Sequence, residues 1–162
     1  MMSAPVAMSA RLDGAARDVA TRAVMKAYID ASVVLRIVLD QPGQLEDAQQ
    51  IDEPLTSSLT FVEVFRTLDR VRLAGHLGDQ VLGVHYRAAR EMLDQFGSID
   101  LDRATFERAA EPLRTPLRTL DALHLATALR WREATGDELL FATHDRELAE
   151  AAAVAGLDVV GA

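Results

Sequence analysis

The chain contains no cysteine and a single lysine, Lys26, and aromatic residues make up only 5% of its 162 residues. Without cysteine there is neither a disulfide framework nor a cysteine–zinc site, so stability must come from a buried apolar core. A chain of this length buries roughly two-thirds of the surface its unfolded form exposes and needs no covalent staple. No apolar run approaches the roughly 18 residues of a membrane-spanning helix. The segment from Met1 to Val24 is interrupted by Arg11, Asp13, Arg17, Asp18 and Arg22 and does not read as a secretory signal. The expectation is a cytoplasmic protein with no membrane association. An excess of positive charge is missing too: 25 Asp and Glu against 17 Lys and Arg give a formal net charge of −8. Taken alone, that balance argues against a nucleic-acid partner, unless many acids gather in one pocket where divalent cations reverse the sign. A cationic protein partner fits the same surface.

What is present is an alternation of short apolar runs and longer amphipathic stretches, beginning at Met25. Residues 1–24 read as an N-terminal extension without a clear strand, and Met25 as a candidate translation start. Ala27-Tyr28-Ile29 predicts a strand ending at Asp30, and Ser32 to Leu39 a helix stopped by Pro42-Gly43. Pro54 to Leu59 predicts a second strand. Thr60 then caps a helix in which Phe61, Val64, Phe65 and Leu68 fall on one face. Gly78 to Phe96 reads as a helix closed by Gly97, Ser98 to Leu101 as a brief strand, and Asp102 as the cap of a helix ending near Pro112. Thr119 to Arg132 is strongly helical. Glu138 to Ala142, Arg146 to Ala155 and Leu157 to Val160 complete the pattern as strand, helix and strand. Strands alternating with helices predict an α/β fold whose mostly parallel central sheet carries helices on both faces.

In open parallel sheets, chemistry collects at the carboxyl ends of the strands. Asp30 follows the first strand directly, and Asp145 lies three residues past Ala142. Glu63 sits one turn into the helix after the second strand, and Asp121 in the first turn of the Thr119 helix. Each has a plain structural reading: Asp30 and Asp145 as helix caps, Glu63 as a solvated partner of Arg66 or Thr67, Asp121 as a complement to the helix dipole. Their joint placement tells against four separate structural roles. Asp121 is flanked by Leu120, Ala122, Leu123 and Leu125, and a carboxylate entering an apolar helix needs a partner or a metal. Four acids in one pocket raise one another's pKa unless a cation intervenes. An oxygen-rich, thiolate-free set suits Mg²⁺ or Mn²⁺, which activate water and clamp a phosphodiester.

These residues, in this order, resemble PIN-domain nucleases, and their VapC-like toxin branch in particular. The resemblance runs through Tyr28-Ile29-Asp30-Ala31-Ser32, Ser58-Leu59-Thr60-Phe61-Val62-Glu63, Leu120-Asp121-Ala122-Leu123-His124-Leu125-Ala126, Phe141-Ala142-Thr143-His144-Asp145-Arg146-Glu147-Leu148 and Gly156-Leu157-Asp158-Val159-Val160. It implies a three-layer α/β/α sandwich over residues 25–162, with Asp30, Glu63, Asp121 and Asp145 as catalytic, metal-binding acids. Ser32 and Thr143 would orient carboxylates or waters. The implied activity is RNA hydrolysis with Mg²⁺ or Mn²⁺ by a homodimer held in check by a cognate antitoxin. A housekeeping RNA-processing nuclease and a catalytically silent binding module are the alternatives.

Other residues read more plainly. His124 reads as a packing histidine, His144 as pointing away from Thr143 and Asp145, Asp40 as a helix end and Trp131 as a packing anchor. Arg66, Arg114 and Arg118 flank the acids as surface arginines within reach of phosphates. Receiver domains and haloacid-dehalogenase-type phosphatases also place Asp at strand ends but need a lysine late in the fold, and the one lysine here precedes the first strand. A glycine-rich phosphate loop is absent.

Overall fold

A computed structural model describes residues 24–46 and 48–162; the expectations for residues 1–23 lie outside the described residues. The chain runs β1 (Lys26–Ile29), α1 (Ala31–Val38), a 3-10 turn (Ala48–Gln50), β2 (Glu53–Ser57), α2 (Ser58–Leu73), α3 (Asp79–Leu93), β3 (Gly97–Ile99), α4 (Arg103–Ala109), α5 (Thr119–Thr135), β4 (Leu140–Ala142), α6 (Arg146–Val154) and β5 (Asp158–Val160). All four strand pairings are parallel, in the order β3-β2-β1-β4-β5. The expected α/β/α sandwich is what forms.

Alternation along β1 builds both layers. Ala27 and Ile29 face one core with Val33, Val34 and Val38 of α1, Val64 and Leu68 of α2 and Ala89 of α3. Tyr28 points to the opposite face, into a second core with Leu125, Ala128 and Leu129 of α5 and Leu148, Ala151 and Ala152 of α6. Strands covered on both faces must be apolar throughout, and β1 is buried at Ala27, Tyr28 and Ile29. Trp131 packs against the second core with Lys26 over its ring, as an anchor. Asp40 ends α1 in a left-handed conformation, φ 49°, which aspartate tolerates better than most residues. Among the described residues, no helix is long and apolar enough to cross a membrane.

Several boundaries move. β2 ends at Ser57, and α2 begins at Ser58 rather than after a Thr60 cap. Thr60 is instead fully buried inside α2, with its hydroxyl 2.7 Å from that of Thr56, which donates to the Ile29 carbonyl. Gly97 does not close the preceding helix, which ends at Leu93; it opens β3. A Cβ there would stand 2.6 Å from Leu55 Cδ2, so a larger residue would require the Leu55 side chain to shift. β4 is shorter than expected, since Glu138 and Leu139 precede the ladder.

Asp102 caps α4, accepting from the Thr105 amide and hydroxyl, both at 2.8 Å, and from Arg130 of α5. The Thr105 hydroxyl above all, then Arg130, hold its carboxyl down at about 2. A depressed carboxyl stabilises the fold above its unfolded value, near 3.8, and that contribution is lost as pH falls through about 2. Asp102→Asn keeps a capping oxygen but removes the charge. We expect a lower melting temperature than wild type at pH 7, by a modest margin because the group is exposed, and a margin that closes toward pH 2 in circular-dichroism melts.

Candidate metal centre

The strand order places β1 between β2 and β4, so the chain leaves β1 to one side and returns on the other. Such a switch point opens a crevice at the carboxyl ends of the strands. In register, Ile29 lies beside Ala142, which sets Asp30 level with Thr143. The Asp30 amide donates to the Ala142 carbonyl at 3.0 Å.

Asp30 is buried and caps α1. Its Oδ2 accepts from the Ser32 hydroxyl at 2.6 Å, the Ser32 amide at 3.3 Å and the Thr143 hydroxyl at 2.9 Å. Three donors on one oxygen fix the carboxylate plane and leave Oδ1 turned toward His124, 3.6 Å from Nε2. Thr143, fully buried, also accepts from the Asp145 amide at 3.0 Å, and the Ser32 hydroxyl accepts from the His144 amide at 2.9 Å. Ser32 and Thr143 thus tie the ends of β1 and β4 together around one carboxylate. The Asp145 carboxylate caps α6 through the Leu148 amide at 3.0 Å.

Glu63 crosses from α2 to meet α5: its Oε2 lies 2.5 Å from His124 Nε2. The expected pairing with Arg66 or Thr67 does not occur. Arg66 pairs with Asp69 at 3.0 Å and Thr67 receives Arg70 at 2.8 Å. His124 is not a mere packing residue either. It is 1% exposed, and its Nδ1 lies 2.8 Å from the Tyr28 hydroxyl. Burial is the largest influence on its pKa and pulls downward. The hydrogen bond to Glu63 and the charges of Asp30, Glu63 and Asp121 outweigh it, so the net shift is upward. Burial pushes the Tyr28 phenol up.

Asp121 lies in the first turn of α5, with Arg118 3.7 Å away. Burial first, then the charges of Asp145 and Asp30, push its carboxyl above the usual range against the pull of Arg118 and His124. The charges of Asp145 and Asp30 thus reach Asp121, and those of Asp30, Glu63 and Asp121 reach His124. Among the described residues the set close enough to share one ion is Asp30, Glu63 and His124, without Asp121 or Asp145. One ligand atom each from Asp30, Glu63 and His124 falls within 4.8 Å of the others, a spacing a single ion can span. His144 turns away, its Nδ1 donating to the Gly161 carbonyl at 2.5 Å. Two clefts flank the loop between α4 and α5, and Arg114 lines both, but none of the four acids borders either.

The acids repel one another in the absence of a cation, which makes a further expectation. Asp121→Asn should raise the melting temperature of metal-free protein, because it removes a half-buried charge facing two others. Wild type should gain more from a divalent ion: at 100 times its Kd a ligand adds about 2.7 kcal/mol, roughly 5–10 °C for a chain of this size. A variant that gains as much as wild type on adding Mn²⁺ would remove Asp121 from the binding set.

A family model described as PIN domain matches residues 27–154. Among solved structures, PAE2754 from Pyrobaculum aerophilum is similar in fold, with a TM-score of 0.58 and 17% identity over 88% of this chain and 90% of that one. No curated protein matches the chain.

Proposed function

The chain belongs to the PIN-domain family, and from that premise we propose that it is a divalent-metal-dependent endoribonuclease, acting as the toxin of a toxin–antitoxin pair. The observation that carries the catalytic part is the meeting of Asp30 and Glu63 at His124, with Asp121 close enough to Asp30 and Asp145 to feel both charges. The donor set fits a hard cation: it is mostly carboxylate oxygen, partly desolvated, with Arg118 and His124 beside it. Asp30, Glu63, Asp121 and Asp145 would hold the ion. When bound, Mg²⁺ or Mn²⁺ supplies activation of water and charge neutralisation at the scissile phosphate.

The chain's own contribution is positioning. Ser32 and Thr143 lock the Asp30 carboxylate, and the cap on α6 fixes Asp145 before any substrate arrives. Preorganised groups need no rearrangement at the moment of reaction. On this reading Arg118, 78% exposed and 3.7 Å from Asp121, meets an RNA phosphate, which otherwise faces a protein of net charge −8. RNA as substrate and the toxin role are supported by the ordered resemblance of the Asp30, Glu63, Asp121 and Asp145 motifs to the VapC-like branch. On that reading the partners are a second copy of the chain and an antitoxin whose basic side chain enters the acidic crevice, in the cytoplasm.

The test is cleavage of transfer, ribosomal and messenger RNA by antitoxin-free protein. We expect scission of at least one with Mn²⁺ or Mg²⁺ and none with EDTA. Intact RNA in every metal-loaded reaction would overturn the proposal, and cleavage that survives EDTA would overturn its metal dependence.

A further inference from the structure

Tyr28, His124 and Glu63 form a buried chain of hydrogen bonds that runs from the core to the acidic crevice. Tyr28 leaves β1 on the face opposite Ile29 and stacks on Phe141 of β4, with ring centroids 5.3 Å apart. His124 meets it edge-on from α5, at 5.9 Å. On the other side of the imidazole is Glu63, contributed by α2. The three residues come from three separate elements, and two of them, Tyr28 and His124, are buried.

The short contact to Glu63 decides where the Nε2 proton points. Two heteroatoms 2.5 Å apart, one of them a carboxylate oxygen, need a proton between them, and His124 Nε2 is the group able to supply it. Nε2 is therefore a donor to Glu63. Nδ1 lies 2.8 Å from the Tyr28 hydroxyl, which accepts from a protonated ring and donates to a neutral one. In both protonation states Nε2 donates to Glu63 while the Tyr28 hydroxyl holds the far side of the ring.

We propose that His124 is a positioning residue rather than a metal ligand: held by Tyr28, it donates to Glu63 and aims that carboxylate at the ion. The inference rests on the metal-dependent reading of the site. It assigns His124 a different part from the one its proximity to Asp30 and Glu63 suggests, since an Nε2 committed to a proton offers no lone pair to a cation. Glu63 needs this support more than Asp30 does. Asp30 is fixed by three donors from Ser32 and Thr143, whereas Glu63 stands on a long, flexible side chain held, among the described residues, by His124.

The experiment compares full-length wild type with His124→Gln, His124→Leu and Tyr28→Phe, titrating Mn²⁺ by calorimetry and recording pulsed electron paramagnetic resonance of bound Mn²⁺. Loss of an orienting partner typically weakens metal binding 10–100-fold, and we expect a loss of that order for His124→Leu. Glutamine can donate from nearly the same place, so His124→Gln should stay within about threefold of wild type, rescue that depends on the donor alone. Tyr28→Phe should fall between them and, as an apolar swap in an apolar face, keeps the question open to measurement if His124→Leu fails to fold. Nitrogen coupling to Mn²⁺ in the wild-type spectrum would overturn the proposal by making His124 a ligand. So would folded His124→Leu binding Mn²⁺ as wild type does, or His124→Gln as weak as His124→Leu. If wild type binds no divalent ion at all, the metal-dependent reading itself falls and takes this inference with it.

Discussion

Asp30→Asn is expected to abolish RNA cleavage while leaving the fold in place. The argument turns on which oxygen does which job. Oδ2 is fully occupied by Ser32 and Thr143, and an asparagine can present its carbonyl oxygen to the same donors. Asparagine also caps helices about as well as aspartate, so α1 keeps its start. The amide nitrogen then occupies the place of Oδ1, 3.6 Å from His124 Nε2. There it presents hydrogens where a cation needs a lone pair, beside a ring nitrogen that is itself a donor. Losing a charged ligand removes several kcal/mol of charge stabilisation, and about 4 kcal/mol corresponds to roughly a thousandfold in rate. We expect kcat to fall at least that far, calorimetric Mn²⁺ binding to disappear, and metal-free melting temperature to stay within a few degrees. A variant cutting RNA within tenfold of wild type would place the chemistry elsewhere on the molecule.

The same residues explain why much of this was legible before any coordinates. Asp30 announces itself because an apolar run ends abruptly at a polar residue that also starts a helix, so strand end and cap coincide. Asp145 does so because it caps α6 three residues after β4 ends at Ala142. Asp121 stands out because its helix is buried from Ala122 to Leu129, so a charge at its start has no simple solvent role. The border between β2 and α2 was not legible. Thr56-Ser57-Ser58-Leu59-Thr60 carries neither proline nor glycine, and a threonine that looks like a cap serves inside the helix as a partner for Thr56. The partner of Glu63 could not be read locally either. Arg66 and Thr67 were at helical spacing, yet Arg66 found Asp69 and Glu63 found a histidine 61 positions away. One signal for His124 did exist. It lies three residues after Asp121 on the same helix, so the two share a face, and Tyr28 lies on the β1 face opposite Ala27 and Ile29 and toward α5. Joining those two facts to Glu63 requires the tertiary fold.

Thr143→Val should damage both the site and the fold, and the combination is informative. Valine keeps the branched shape that suits the end of a strand and removes only the hydroxyl. That hydroxyl donates to Asp30 Oδ2 at 2.9 Å and accepts from the Asp145 amide at 3.0 Å, in a residue with no exposed surface. Its loss leaves the Asp145 amide without that acceptor, at a cost of about 1–3 kcal/mol when a buried group loses its partner. For a chain of this length that corresponds to a fall of roughly 5 °C in melting temperature. The effect on the site is separate: Asp30 retains only the Ser32 donors, and Asp145 loses the bond that sets the chain direction at its own residue. Mn²⁺ affinity should drop 10–100-fold, the range found for partners that orient metal-binding carboxylates. Thr143→Ser retains the oxygen and should recover most of the affinity even if the missing methyl costs some stability. That split separates orientation from packing, because a purely structural threonine would lose stability in both variants and metal affinity in neither.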